Sequence, residues 1–129
     1  MILVDTSVWI QLQHRDGHRE RDELLAILER DELAITGMVV AEVLQGARSE
    51  VDYQSWSERF ASPHFYADTR ETWQRAARLS YDLRRQGQQT ALSDLVIAVV
   101  AIENDLEVYA NDSDFDRVPG LRRYEPSAI

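Results

Sequence analysis

Residues 1–10, MILVDTSVWI, run three aliphatic side chains, Ile2, Leu3 and Val4, straight into Asp5, after which come two hydroxyl residues and more apolar ones. A short apolar run of this kind reads as a buried strand, so its end carries a carboxylate in surroundings that penalise an unpaired charge. The alternation of apolar runs with amphipathic stretches continues along the chain. It predicts strands near 2–5, 33–36, 64–67, 106–110 and 121–124, with helices near 6–13, 20–31, 38–47, 51–61, 69–86 and 93–104. In the stretch 20–31, Leu24, Leu25, Ile27 and Leu28 share one side while Glu20, Arg21, Asp22, Glu29 and Arg30 face water. Gly37, Gly46 and Gly87 fall at element ends. Strands alternating with helices predict an α/β fold of three layers, α/β/α, around a central parallel sheet of four to five strands. Right-handed crossovers bring the strand ends to one edge of such a sheet, and ligands sit outside that carboxyl edge, where Asp5 would be.

At 129 residues and 44% hydrophobic content the chain is the size of one globular domain, expected to span 1–129. Cysteine is absent, which excludes disulfides, thiolate nucleophiles and Cys-based metal sites. Lysine is absent too, so the phosphate-binding P-loop lysine and Schiff-base chemistry are excluded, and all positive charge is arginine. Asp5 interrupts the opening apolar run too early for a secretory signal, and Leu95–Ile102 is too short to cross a bilayer, so a soluble cytoplasmic protein is expected. The net charge of −9 favours solubility and argues against a broad electrostatic grip on nucleic acid.

Four segments set an acid against an apolar element: Asp5 in LVDTS, Glu42 in MVVAEVLQGA, Asp94 in ALSDLVIAVVA and Asp112 in VYANDSDF. Each has an ordinary structural explanation. Asp5 suits a helix N-cap, and Asp94 suits the first turn of a helix opened by Ser93 or Thr90, where the macrodipole favours negative charge. Asp112 lies in the turn composition NDSD. Glu42 interrupts the apolar window of Val39, Val40, Ala41, Val43 and Leu44, which calls for a partner, an arginine among the candidates. Taken together, the four can converge on the carboxyl edge of a parallel sheet. Two carboxylates ~5 Å apart repel by about 3 kcal/mol at an effective dielectric near 20, so convergence demands protonation or a cation. Oxygen ligands without His or Cys suit Mg²⁺ or Mn²⁺. His14 and His18 have the i, i+4 spacing of a zinc pair, but the run HRDGHRE reads as a solvated loop, and His64 follows Pro63 at a strand entry.

VDTSVWI, VVAEVLQGAR, LSDLVIAVVA and YANDSDFDRV, in this order and spacing, give the chain its resemblance to PIN-domain ribonucleases, and within them to the VapC-like toxins of type II toxin–antitoxin pairs. The resemblance covers essentially the whole chain. It implies Mg²⁺- or Mn²⁺-dependent endoribonuclease activity on an RNA substrate, a cognate antitoxin that blocks the site, and a homodimer. It implies that Asp5, Glu42, Asp94 and Asp112 form the acidic quartet; the chemistry of carboxylates around a dication predicts Asp5 and Asp94 on the metal, Glu42 on the attacking water, and Asp112 on a second metal ion or the water network. Thr6 and Ser7 match the hydroxyl positions after the first acid. Asn111 and Asp114 are supporting candidates, Asp112 being favoured over Asp114 for its nearness to the strand end.

Among the arginines, Glu71–Arg75 and Arg78–Asp82 have the spacing of surface ion pairs, which leaves Arg84 and Arg85 as the better candidates for RNA contact. The apolar content of 51–61 and 69–81 (Tyr53, Trp56, Phe60, Trp73, Leu79 and Tyr81) exceeds what a single helix usually needs, so part of it is expected at a dimer seam or antitoxin groove. Rival readings are a metal-dependent phosphatase or phospho-acceptor domain, disfavoured by the missing lysine, and a non-catalytic module retaining only the fold.

Overall fold

Five parallel strands make one sheet in the order β3-β2-β1-β4-β5: β1 at Ile2–Val4, β2 at Leu33–Thr36, β3 at His64–Tyr66, β4 at Glu107–Tyr109 and β5 at Arg122–Arg123. The computed structural model describes residues 1–126, so the final three positions of the expected 1–129 domain lie outside the described residues. Helices α1 (Thr6–Gln11), α2 (His18–Glu29), α3 (Gly37–Gln45), α4 (Glu50–Arg59), α5 (Arg70–Arg85) and α6 (Leu92–Glu103) flank the sheet, giving the predicted α/β/α layering.

The central strands β1 and β2 are buried at every position, as near-continuous apolar runs require when helices cover both faces of a sheet. At the edge, β3 exposes His64 and Phe65. Every residue of α6 from Leu95 to Ala101 is buried. Val96, Ile97, Val99 and Val100 are β-branched and poor helix formers, so burial holds this helix together: each such side chain contributes roughly 1.5–3 kcal/mol when removed from water.

Helix α5 runs antiparallel beside α6, because the Thr72 hydroxyl and the Arg75 guanidinium near its start donate to Glu103 at the end of α6, at 2.7 and 2.9 Å. Its far end, with Arg84 and Arg85, therefore lies toward the start of α6. In chain order the strands step outward from β1 to β2 and β3, then β4 returns to the other side of β1. The order reverses between β1 and β4, and that switch point is where parallel sheets open a crevice.

Three boundaries depart from expectation, each for a local reason. Strand β1 stops at Val4 because Asp5 turns to cap α1. Helix α6 has Ala91 as its N-cap, with no side-chain cap from Ser93 or Thr90. The stretch Ser113–Arg117 winds into a 3-10 helix, which a turn composition alone does not distinguish from an open loop.

Candidate metal centre

The crevice between β1 and β4 opens at Asp5, whose N–H donates to the Tyr109 carbonyl at 2.9 Å and extends the strand pairing by one residue. Asp5 is 2% exposed, and its two oxygens have different fates. Oδ2 caps α1, accepting from the Ser7 N–H at 3.2 Å and the Ser7 hydroxyl at 2.7 Å. Oδ1 is buried and meets no hydrogen-bond donor among the described residues. Burial raises the Asp5 carboxyl pKa above its ordinary value even though the Ser7 bonds pull the other way. An unsatisfied buried oxygen of this kind costs roughly 1–3 kcal/mol, so it marks a place suited to an incoming ligand.

Glu42 is the sixth of nine residues in α3, deeper in the helix than the expected position near its beginning. It is half-buried, and its Oε1 accepts from the Thr6 hydroxyl at 2.9 Å. Among the described residues no ion pair reaches it; its partner is a threonine and not an arginine.

Asp94, in the first turn of α6, is pushed up to about 7 by burial first and then by the negative charges of Asp5, Asp112, Glu42 and Asp114. Acids from three other segments thus act on one carboxyl. Asp112 caps the 3-10 helix, its Oδ1 accepting from the Asp114 N–H at 2.8 Å. Asp94, Asp112 and Asp114 can each offer an oxygen within 4.8 Å of the others. Asp112 and Asp114 are therefore companions in one acidic cluster, where the sequence had put Asp114 in a supporting place behind Asp112. Asp5 lies outside this tightest set, yet its charge reaches Asp94. Asn111 is tied in through its backbone, its N–H donating to Ser7 Oγ at 3.3 Å.

These residues fit a hard dication. All donors are carboxylate oxygens, three of them are close enough to repel strongly, and Asp5 Oδ1 is buried without a partner. The histidines lie elsewhere: His14 and His18 are exposed, the latter as the first residue of α2, and His64 pairs with Asp31 at 2.8 Å.

Arg78–Asp82 and Arg75–Glu71 form surface pairs at 3.3 and 3.8 Å, as their spacing predicts. Arg85 stacks over Tyr81 and donates to its hydroxyl at 3.2 Å, while Arg84 is exposed. Of the surplus apolar side chains, Trp56 is buried against Trp9 and Phe60, whereas Tyr53, Trp73 and Tyr81 stay exposed. Sequence reasoning missed Arg117, which lies 3.6 Å from Asp114. The i, i+3 spacing in DFDR was the available signal, legible only once a 3-10 helix is known.

A doubly wound α/β sheet whose switch-point crevice is lined with carboxylates, free of His and Cys, defines a class of cation-binding folds. Within it the chain belongs to the PIN domain family, whose sequence profile matches residues 2–121. Ribonuclease VapC11 of Mycobacterium tuberculosis is 27% identical over 134 residues, covering 100% of this chain and 99% of that protein. Ribonuclease VapC21 of the same organism is 30% identical over 106 residues, 80% of this chain and 77% of the relative. In fold the chain is similar to a chain of the crystal structure of VapBC2 from Rickettsia felis bound to a DNA fragment from their promoter, with a TM-score of 0.80 at 21% identity, covering 96% of this chain and 98% of that one. Among the described residues no helix is long and apolar enough to cross a membrane.

Proposed function

We propose that this chain is an Mg²⁺- or Mn²⁺-dependent endoribonuclease, the cytoplasmic toxin of a type II toxin–antitoxin pair, working as one domain over 1–129. The observation that carries the reading is the convergence of Asp5, Glu42, Asp94, Asp112 and Asp114 on one crevice, with a buried Asp5 oxygen lacking a donor. The relatives named as ribonucleases and the toxin–antitoxin complex of similar fold support it.

In this reading Asp94, Asp112 and Asp114 would hold the cation, with the open oxygen of Asp5 as a further oxygen ligand. A bound dication supplies acidification of water and neutralisation of phosphate charge, so that no protein nucleophile is needed. Glu42, oriented by the Thr6 hydroxyl, holds the attacking water and accepts its proton. Ser7 keeps Asp5 and the Asn111 backbone in register across the crevice. Arg84 and Arg85, at the end of α5 that lies toward α6's start, contact RNA phosphates beside the site. The cognate antitoxin covers the crevice, and two copies of the chain form the homodimer.

The test is purified chain, freed of any partner, mixed with total cellular RNA with and without Mg²⁺, beside Asp5→Asn. Discrete fragments that need the metal and vanish in the variant are expected. Cleavage that survives chelation, or that the variant retains in full, would overturn the reading.

A further inference from the structure

We propose that Arg117 is a positioning residue that locks the two chain segments delivering Asp114 and Asp94 into the geometry a dication requires, an inference that rests on the metal-site reading above. In the 3-10 helix Ser113–Arg117, residues three apart share a face. Arg117 Nη2 accordingly stands 3.6 Å from Asp114 Oδ1. The same guanidinium reaches across the crevice wall, where Nη1 donates to the Gln89 carbonyl at 2.9 Å. Gln89 belongs to the connection between α5 and α6, just ahead of a helix whose first turn carries Asp94 and whose N-cap, Ala91, offers no side-chain bond.

One side chain therefore ties the acid-bearing 3-10 helix to the segment that aims Asp94. A second arginine secures the same helix from behind: Arg123 donates to the Ala110 carbonyl and to Asp116, both at 2.8 Å. Arg117 alone of the two spans to the α6 side. Its planar fork makes both contacts at once, which a lysine ammonium cannot do in the same geometry.

The sign of the effect separates this role from simple charge. As a bare positive charge beside Asp114, Arg117 would oppose a dication, and its removal would tighten metal binding. As a positioning residue, its removal must weaken it.

The experiment is calorimetric titration of the metal-free chain with Mn²⁺, paired with amide hydrogen exchange over 86–91 and 111–117. Arg117→Gln is expected to bind Mn²⁺ about tenfold more weakly and to exchange faster in both segments. Arg117→Lys is expected not to restore affinity. Combining Arg117→Gln with Asp114→Asn should weaken binding by less than the two single losses added together, because the arginine acts in part through that carboxylate and in part through the segment ahead of Asp94. Mn²⁺ affinity in Arg117→Gln equal to or tighter than wild type overturns the proposal, as does lost RNA binding with unchanged Mn²⁺ affinity. A wild-type chain that takes up no Mn²⁺ overturns the metal-site reading itself and the proposal with it, so the two failures are distinguishable.

Discussion

Asp5 and Glu23 are buried to nearly the same depth, 2% and 6% exposed, yet the protein treats them in opposite ways. Glu23, on α2, accepts from the Tyr124 hydroxyl, which in turn receives the Arg30 guanidinium at 3.3 Å. That relay ties α2 to the chain beyond β5 and answers the charge from within the protein. Asp5 receives donors on one oxygen only, keeps the other bare, and stands among acids that share its sign. Burial alone does not mark a functional carboxylate. What separates the two is whether the fold supplies the partners that desolvation demands.

Substituting the two acids' surroundings tests this contrast. The largest effect belongs to Asp5→Asn, which should cut RNA cleavage by more than about 100-fold, exceeding the loss usual for residues one shell further out. Circular dichroism should show the fold intact, since an asparagine oxygen still caps α1.

The next effect is a stability difference. Asp94 has a folded pKa raised from 3.8 to about 7, so its proton stabilises the folded state at low pH. That contribution is full below the unfolded value and is lost as pH rises through about 7. Without metal, wild type should lose stability relative to Asp94→Asn across this window. The gap should reach about 1–2 kcal/mol after allowing for solvent screening in the partly exposed crevice, as read by denaturant melts at stepped pH. Mg²⁺ should flatten the wild-type slope.

Tyr124→Phe should destabilise the chain by about 1 kcal/mol through the lost bond to Glu23. Cleavage should stay within about twofold, since the bonds that change, to Glu23 and from Arg30, reach none of the crevice acids. A large cleavage defect here would break the distinction between the two acids. Thr6→Val removes the donor to Glu42 and should lower kcat by roughly three- to tenfold, the scale of one hydrogen bond, with little change in KM.

Much of this arrangement was legible before any coordinates. The apolar runs located all five strands, and the helices lie within about two residues of their predicted spans, the usual slack at helix ends. The four acid-bearing segments were recognisable because each sets an acid against an apolar element. Glu42 stood out in an apolar helix, yet its partner stayed open, since Thr6 lies 36 residues away and nothing local announces it. Asp112 was favoured over Asp114, and that both offer an oxygen close to Asp94 was not legible, because the 3-10 helix that carries them packs Phe115 into the core. Arg117 went unnoticed because its second contact is a backbone carbonyl, and a sequence assigns no partners to carbonyls.

By itself, the sequence determined the layered α/β architecture and which acids lie at element ends. Both follow from periodicity and turn chemistry, which act between near neighbours along the chain. Only the tertiary structure decided which carboxylates share a crevice, which Asp5 oxygen stays open, and which arginine holds two segments together. Those are distances between residues far apart in sequence, set by the reversal of strand order between β1 and β4, and electrostatic interaction depends on distance through space.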